Sequence, residues 1–316
     1  MNTPSLRGAG RALLAVLITL ALTGAAAPAT RECDRHCLQD VAERYLSALV
    51  AHNPSKAFLA PGGARITENG QKLGTEHGLW KTATAGSKFQ LYFADPEQGA
   101  VGFIGQLKEN DALVPVALRL KVVNGWITEA ETIVARNTPF AKADGFVTPN
   151  PVLLAEVKAA DRVPRADLIR IADSYFTGLD TDHSGKNVPF DPQCQRREDG
   201  NVTAHSADPK AGAMQKMDCK AQFDTGFSVI VSKVRDRRYP IVDVERGLVY
   251  AQVFFDHTGT VASFKMDGKD VEVPADYRRP KSFLIGELFK IEKGRIRQIE
   301  AVLLDVPYGM KSGWDK

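Results

Sequence analysis

Apolar positions along the chain fall into three kinds of pattern. Leu38, Val41, Ala42, Tyr45, Leu46 and Leu49 recur at i, i+3, i+4, i+7, i+8 and i+11, the stripe of an amphipathic helix buried on one side. Leu168, Ile171, Ala172, Tyr175, Phe176 and Leu179 repeat that spacing 130 residues later. Runs rich in Val, Ile and Phe follow each stripe, at 89–93, 100–107, 113–123 and 126–135, and again at 227–234, 248–256, 283–292 and 296–305. Gly, Asn-Gly and Asp-Gly break these runs, which predicts antiparallel strands joined by hairpins. Helix first and sheet afterwards is the order of an α+β fold. The third pattern is the apolar run Ala12–Leu22, behind Arg7 and Arg11 and ahead of Ala27-Pro28-Ala29. It is shorter than the ~20 residues a membrane span needs, and it predicts a secretory signal peptide over 1–29.

The two stripes belong to a wider duplication. Glu68-Asn69-Gly70 meets Glu198-Asp199-Gly200 at the same offset of 130, Asp95-x-Glu97-x-Gly99 meets Asp243-x-Glu245-x-Gly247 at 148, and Gly125-x-Ile127 meets Gly294-x-Ile296 at 169. The growing offset places insertions of 18 and 21 residues in the second half, around 201–224 and 256–282. Insertions of this kind become loops or an added hairpin, where function tends to reside. Four prolines between 139 and 164, with a helical stretch at 152–160, mark a linker. The resulting organisation is a signal peptide (1–29), a first domain (30–137), a linker (138–165) and a second domain with two insertions (166–316).

Composition narrows the class. Hydrophobic residues at 44% and charged residues at 25% sit in the globular range and exclude a disordered or collagen-like chain. A net charge of +3 for the full chain, falling to +1 once Arg7 and Arg11 leave with the signal peptide, lacks the basic face a nucleic-acid partner requires. Export, to the periplasm or beyond the cell, places the four cysteines in an oxidising compartment where thiols pair. Three pairings are possible, and closeness in sequence favours Cys33 with Cys37 and Cys194 with Cys219. Cys33-x3-Cys37 lacks the second ligand pair of a zinc site.

The segment 42–49 through Ile66-Thr67-Glu68-Asn69-Gly70 resembles the opening of ketosteroid isomerase and its superfamily, the cone-shaped nuclear transport factor 2-like or SnoaL-like domains. The whole chain is also similar to a group of secreted bacterial and fungal proteins marked by Thr-Glu-Asn-Gly and a later Val-Pro-Phe-Asp-Pro, here 67–70 and 188–192. The resemblance implies two tandem cone-like α+β barrels, each a curved antiparallel sheet wrapped on its helices. Such domains pair through their sheets, which implies an internal pseudo-dimer or a homodimer. It further implies cofactor-independent chemistry on a small oxygenated molecule; with the charge, the ligand spacing and the short apolar run, the expectation is no metal, no nucleic acid and no membrane once the signal is cleaved. Tyr45 and Tyr175 match the tyrosine that donates to a substrate oxyanion. Asn69, beside Glu68, and Asp199 stand in the slot of the proton-moving carboxylate, while Ala117 and Gly286 map near the second oxyanion donor.

The chemistry of these residue types supports the same expectation. A carboxylate in an apolar cone has its pKa raised by desolvation and can serve as a base near neutrality, and a neighbouring tyrosine stabilises developing charge. Because Asp199 keeps a titratable group where the first repeat has Asn69, the second repeat is expected to hold the working pocket. Arg119, Arg237, Trp80 and His257 are the candidate substrate contacts. The expected activity is that of a lyase, dehydratase or isomerase; the alternative is a non-catalytic binding or interaction module. Asp180-x-Asp182-x-Ser184-Gly185 with Asp191 has the spacing of a calcium loop, but Asn187, Pro189 and the missing second helix favour structural capping.

Overall fold

The structure is a computed structural model that describes residues 1–2, 33–136, 138, 141–266 and 268–314. Of the leader expected at 1–29, residues 3–29 lie outside the described residues. Glu32–Lys316 form one compact unit. In chain order its strands are β1 (Arg65–Glu68), β2 (Gln71–Lys72), β3 (Ala83–Asp95), β4 (Ala100–Glu109), β5 (Ala112–Val123), β6 (Trp126–Val134), β7 (Phe190–Glu198), β8 (Asn201–Ala204), β9 (Lys233–Asp243), β10 (Leu248–His257), β11 (Ser263–Met266), β12 (Lys269–Glu272), β13 (Lys281–Glu292) and β14 (Arg295–Val306). The helices are α1 (Arg35–Val50), α2 (Leu79–Thr82), α3 (Pro151–Leu154), α4 (Arg165–Asp180), α5 (Ala213–Lys216) and α6 (Cys219–Asp224). Among the described residues no helix is long and apolar enough to cross a membrane.

The fold is α+β, with two open six-stranded mixed sheets of identical topology, β2-β1-β6-β5-β4-β3 and β8-β7-β14-β13-β10-β9. Each is a meander of antiparallel hairpins with one parallel pairing, β1 on β6 and β7 on β14. The duplication holds at the level of register. Ile66 pairs with Ala130 and Leu118 with Thr132, and at the offsets of the sequence repeat Arg196 pairs with Ile299 and Glu287 with Ala301. Asn124-Gly125 and Lys293-Gly294 make the β5–β6 and β13–β14 turns at positive φ, the backbone that suits tight hairpins.

Each sheet buries one face under its own long helix: Leu38, Ala42, Tyr45 and Leu49 of α1 pack on the first sheet, and Leu168, Ala172, Tyr175 and Phe176 of α4 on the second. The opposite faces meet in a third core, where Phe89, Leu91, Phe93, Ile104 and Ala117 pack with Ile241, Leu248, Tyr250, Phe254 and Leu284. Gly286 and its repeat equivalent Ala117 lie in this seam, and a Cβ on Gly286 would sit 2.4 Å from the Tyr250 hydroxyl. Polar contacts cross the seam in matched pairs. Arg165, at the start of α4, binds Asp95 and Glu97, while its counterpart Arg35, at the start of α1, binds Asp243 and Glu245. The Asp-x-Glu-x-Gly repeat is thus the turn by which each half receives the other half's arginine.

The sheets, expected to be antiparallel, each contain one parallel pairing, and two stretches also differ from expectation. Residues 227–230 form a 3₁₀ turn and the strand begins only at Lys233, because the apolar run caps the core rather than joining the ladder. The helical stretch expected at 152–160 shrinks to α3 and a 3₁₀ turn at Ala159–Asp161; Asn150 caps it, and the chain is already extended at Ala155. The second insertion adds the hairpin β11–β12, and the first adds α5 and α6.

Candidate functional site

The Glu-Asn-Gly and Glu-Asp-Gly motifs are the β1–β2 and β7–β8 hairpin turns, with both central residues of each at positive φ. Asn69 uses its whole amide on the neighbouring strand: Oδ1 accepts from Val134 N at 2.7 Å and Nδ2 donates to Val134 O at 3.2 Å, while its backbone N donates to Thr132 O at 2.8 Å. Asp199 repeats the arrangement, accepting from Leu303 N at 3.1 Å and donating its N–H to Ala301 O at 2.9 Å. Its carboxyl is fully buried, and Oδ2 finds no partner. The bonds of Asp199 run to β14 and the linker, whereas Tyr175 meets Arg196 and Glu287, so the expected base and tyrosine do not form one constellation.

Tyr175 instead anchors a different one. Its hydroxyl accepts from Arg196 Nη1 at 3.2 Å and lies close enough to the Glu287 carboxyl to influence its ionisation. Arg196 Nε lies 3.1 Å from Thr203 Oγ1 and 3.2 Å from Glu198 Oε1, and Nη2 donates to Gln222 Oε1. Gln222 is fixed by donating to Thr203 O at 2.8 Å and Met214 O at 3.1 Å. Alternation in β7 turns Cys194, Arg196 and Glu198 towards α4, and alternation in β13 turns Ile285, Glu287 and Phe289 the same way.

Electrostatics distinguishes the members. Burial, reinforced by the charge of Glu198, pushes the Glu287 carboxyl up to about 8, and its Oε2 is a buried oxygen with no partner. Glu287 is therefore a neutral acid at pH 7. Burial opposes charge on Arg196, but Glu198, Tyr175 and Glu287 outweigh it and hold the guanidinium firmly protonated. Burial also raises the Tyr175 phenol well above its ordinary value. Glu198 reaches outward, its side chain 29% exposed.

The first insertion covers this cluster, and the second lies within reach of its charge. The Cys194–Cys219 disulfide ties α6 to β7, which sets Gln222 on Arg196. Tyr277, from the second insertion, packs against the α4 core, and its hydroxyl feels the charge of Glu198.

The remaining candidates lie elsewhere. Tyr45 accepts from Trp80 Nε1 at 3.1 Å, and the two rings meet edge to face at 5.2 Å inside the first core. Glu68 accepts from Leu79 N at 2.8 Å and pairs with Arg136 at 2.7 Å, holding α2. Arg119 points away from the first core into the seam, paired with Glu129 and Glu131 and stacked 4.7 Å from the Trp314 ring. Arg237 straps β9 to α4 through Asp173, Thr177 and Asp180. His257 is wedged between Tyr277 and Phe283, with Nδ1 2.9 Å from Ile230 O, and burial lowers its pKa to about 4. Cys33 is bonded to Cys37. In the calcium-like loop Asp180 is taken by Arg237 and Val234 N, Asp182 by Asn187 and Asp191 by Gln193 N.

Sequence reasoning passed over Arg196, Glu198, Thr203, Gln222 and Glu287. The signal that finds two of them is the repeat itself: at offsets 130 and 169, Arg196 replaces Ile66 and Glu287 replaces Leu118, so titratable side chains occupy positions where the first half is apolar.

Residues 161–303 match a protein family described as Domain of unknown function (DUF8021). The matched stretch runs from just before α4 into β14 and takes in every member of the polar cluster. No curated protein matches the chain.

Proposed function

We propose that the chain is an exported small-molecule-binding protein of two nuclear transport factor 2-like, cone-shaped halves joined as an internal pseudo-dimer, with its working site inside the second half. The observation that carries this reading is the buried Tyr175–Arg196–Glu287 cluster, in which Arg196 and Glu287 stand where the first half has Ile66 and Leu118. Buried ions cost several kcal/mol each to desolvate, and a purely structural core has an apolar solution available, because the first half uses it. The paired disulfides fit an oxidising compartment.

The chemistry favoured is cofactor-independent proton transfer of the lyase, dehydratase or isomerase kind. Tyr175 and the neutral Glu287 are the two hydrogen-bond donors for an oxyanion. Glu198 at the rim takes the part expected of Asp199, and Arg196 balances its charge. The covered state of the cluster supports the second reading, a binding module without turnover. A metabolite library screened by thermal shift tests both, with Tyr175→Phe and Glu287→Gln run alongside. A hit that both variants weaken at least tenfold is expected; a hit indifferent to both overturns the site, and binding without turnover selects the second reading.

A further inference from the structure

We infer that Asp199 works as a protonated carboxyl standing in for the amide of Asn69, and that it is a pH-sensitive latch holding the β7–β8 hairpin to β14. The inference rests on two turns of one design. Asn69 bonds Val134 through both atoms of its amide, Oδ1 receiving the N–H and Nδ2 supplying a proton to the carbonyl. Asp199 makes the first of these bonds to the equivalent Leu303, while Oδ2, the atom that stands in the formula where Asn69 has Nδ2, is buried with no partner. A proton on Oδ2 makes it a donor, as Nδ2 is in Asn69; without it the carboxylate is a buried charge with one oxygen unpaired, which is costly.

The groups around the carboxyl all bear on its ionisation. On its own strand are Glu198 and Arg197, and Arg197 is committed to Glu300 of β14 at 2.9 Å. From the linker come Thr138 and Lys142, the latter donating its backbone N–H to Asp199 O at 2.8 Å. Among the described residues no cation forms an ion pair with Asp199. Burial disfavours the charge most, and Glu198 and Glu300 add to it, against the Leu303 N–H and the Thr138 hydroxyl. A carboxyl whose folded-state pKa is raised contributes stability that is full below its ordinary value and is lost as pH climbs through the raised one. The hairpin it latches carries Arg196 and Glu198, so loosening begins beside the buried cluster.

A reciprocal exchange tests this. Urea unfolding is followed at pH 5 and pH 9 for the wild type, Asp199→Asn and Asn69→Asp. Asp199→Asn is expected to gain on the wild type between pH 5 and pH 9, by up to about tenfold in folding equilibrium for each pH unit in that range that Asp199 spends ionised only when unfolded. Asn69→Asp is expected to acquire the alkaline loss. Infrared difference spectra at pH 7 give a readout independent of stability: the wild type is expected to show a carboxylic-acid band that Asp199→Asn removes. Absence of that band, or an Asp199→Asn curve parallel to the wild type at both pH values, overturns the latch.

Discussion

Arg196 and Glu287 illustrate how a single buried pair couples stability to pH. With its carboxyl raised from the ordinary range to about 8, Glu287 stays protonated in the folded chain while the unfolded chain ionises near pH 4.5. Its contribution is therefore complete below pH 4.5 and is lost between pH 4.5 and 8, at about 1.4 kcal/mol per pH unit. Glu287→Gln keeps the shape and removes the titration, so its urea midpoint is expected to fall less steeply from pH 5 to pH 8 than that of the wild type. Arg196→Ile alone is expected to cost about 3–5 kcal/mol, since it strands Gln222, Tyr175 and Glu198. Adding Glu287→Leu copies the first half's Ile66 and Leu118 and is expected to recover much of that loss while abolishing ligand binding. A double variant no more stable than Arg196→Ile would refute the equivalence of the two interiors.

At the scale of elements, α6 depends on its tether. Cys219 begins the helix and Gln222, one turn on, meets Arg196, so the disulfide across 25 residues also positions the amide. Replacing Cys194 and Cys219 with alanine is expected to cost about 3 kcal/mol by loop-closure entropy and to make 205–218 the first site of limited proteolysis; no change in cleavage would show that the α6 packing suffices without the bond. The elements also explain what the sequence could disclose. The α1 and α4 stripes and the Asn124-Gly125 turn were readable because helical period and turn chemistry are local. The parallel partners β1 and β7 were not, since both are short or weakly alternating and pair with strands far along the chain. The apolar run at 227–230 reads as a strand because hydrophobicity alone does not separate a cap from a ladder. Arg196 and Glu287 look like ordinary outward residues in β7 and β13; comparison of the repeats gives them away, and Asp199 drew attention through a titratable group whose bonds are those of a turn.

The whole molecule is organised about an exchange. Each half's first helical turn sends an arginine to the other half's Asp-x-Glu-x-Gly turn, and each half's trailing segment lies on the other's first hairpin. Gly145 of the linker abuts Gly200, where an added Cβ would lie 1.9 Å from its carbonyl oxygen, and Gly313 abuts Gly70 with a corresponding 2.5 Å. Contacts in which residue i meets j while the equivalent of j meets the equivalent of i are those of an isologous dimer, which supports reading the chain as a pseudo-dimer in one polypeptide. Asp95 and Asp243 are buried beneath the arginines that neutralise them, their side chains 1% and 0% exposed. Arg165→Ala and Arg35→Ala are each expected to cost about 3 kcal/mol, because each strands a buried carboxylate. Asp95→Asn added to Arg165→Ala, and Asp243→Asn added to Arg35→Ala, are expected to restore part of that loss. Since the seam is shared, calorimetry of either arginine variant should show one unfolding transition moved to lower temperature. Two separated transitions, one per half, would mean that the halves fold alone and that the exchange is incidental to their stability.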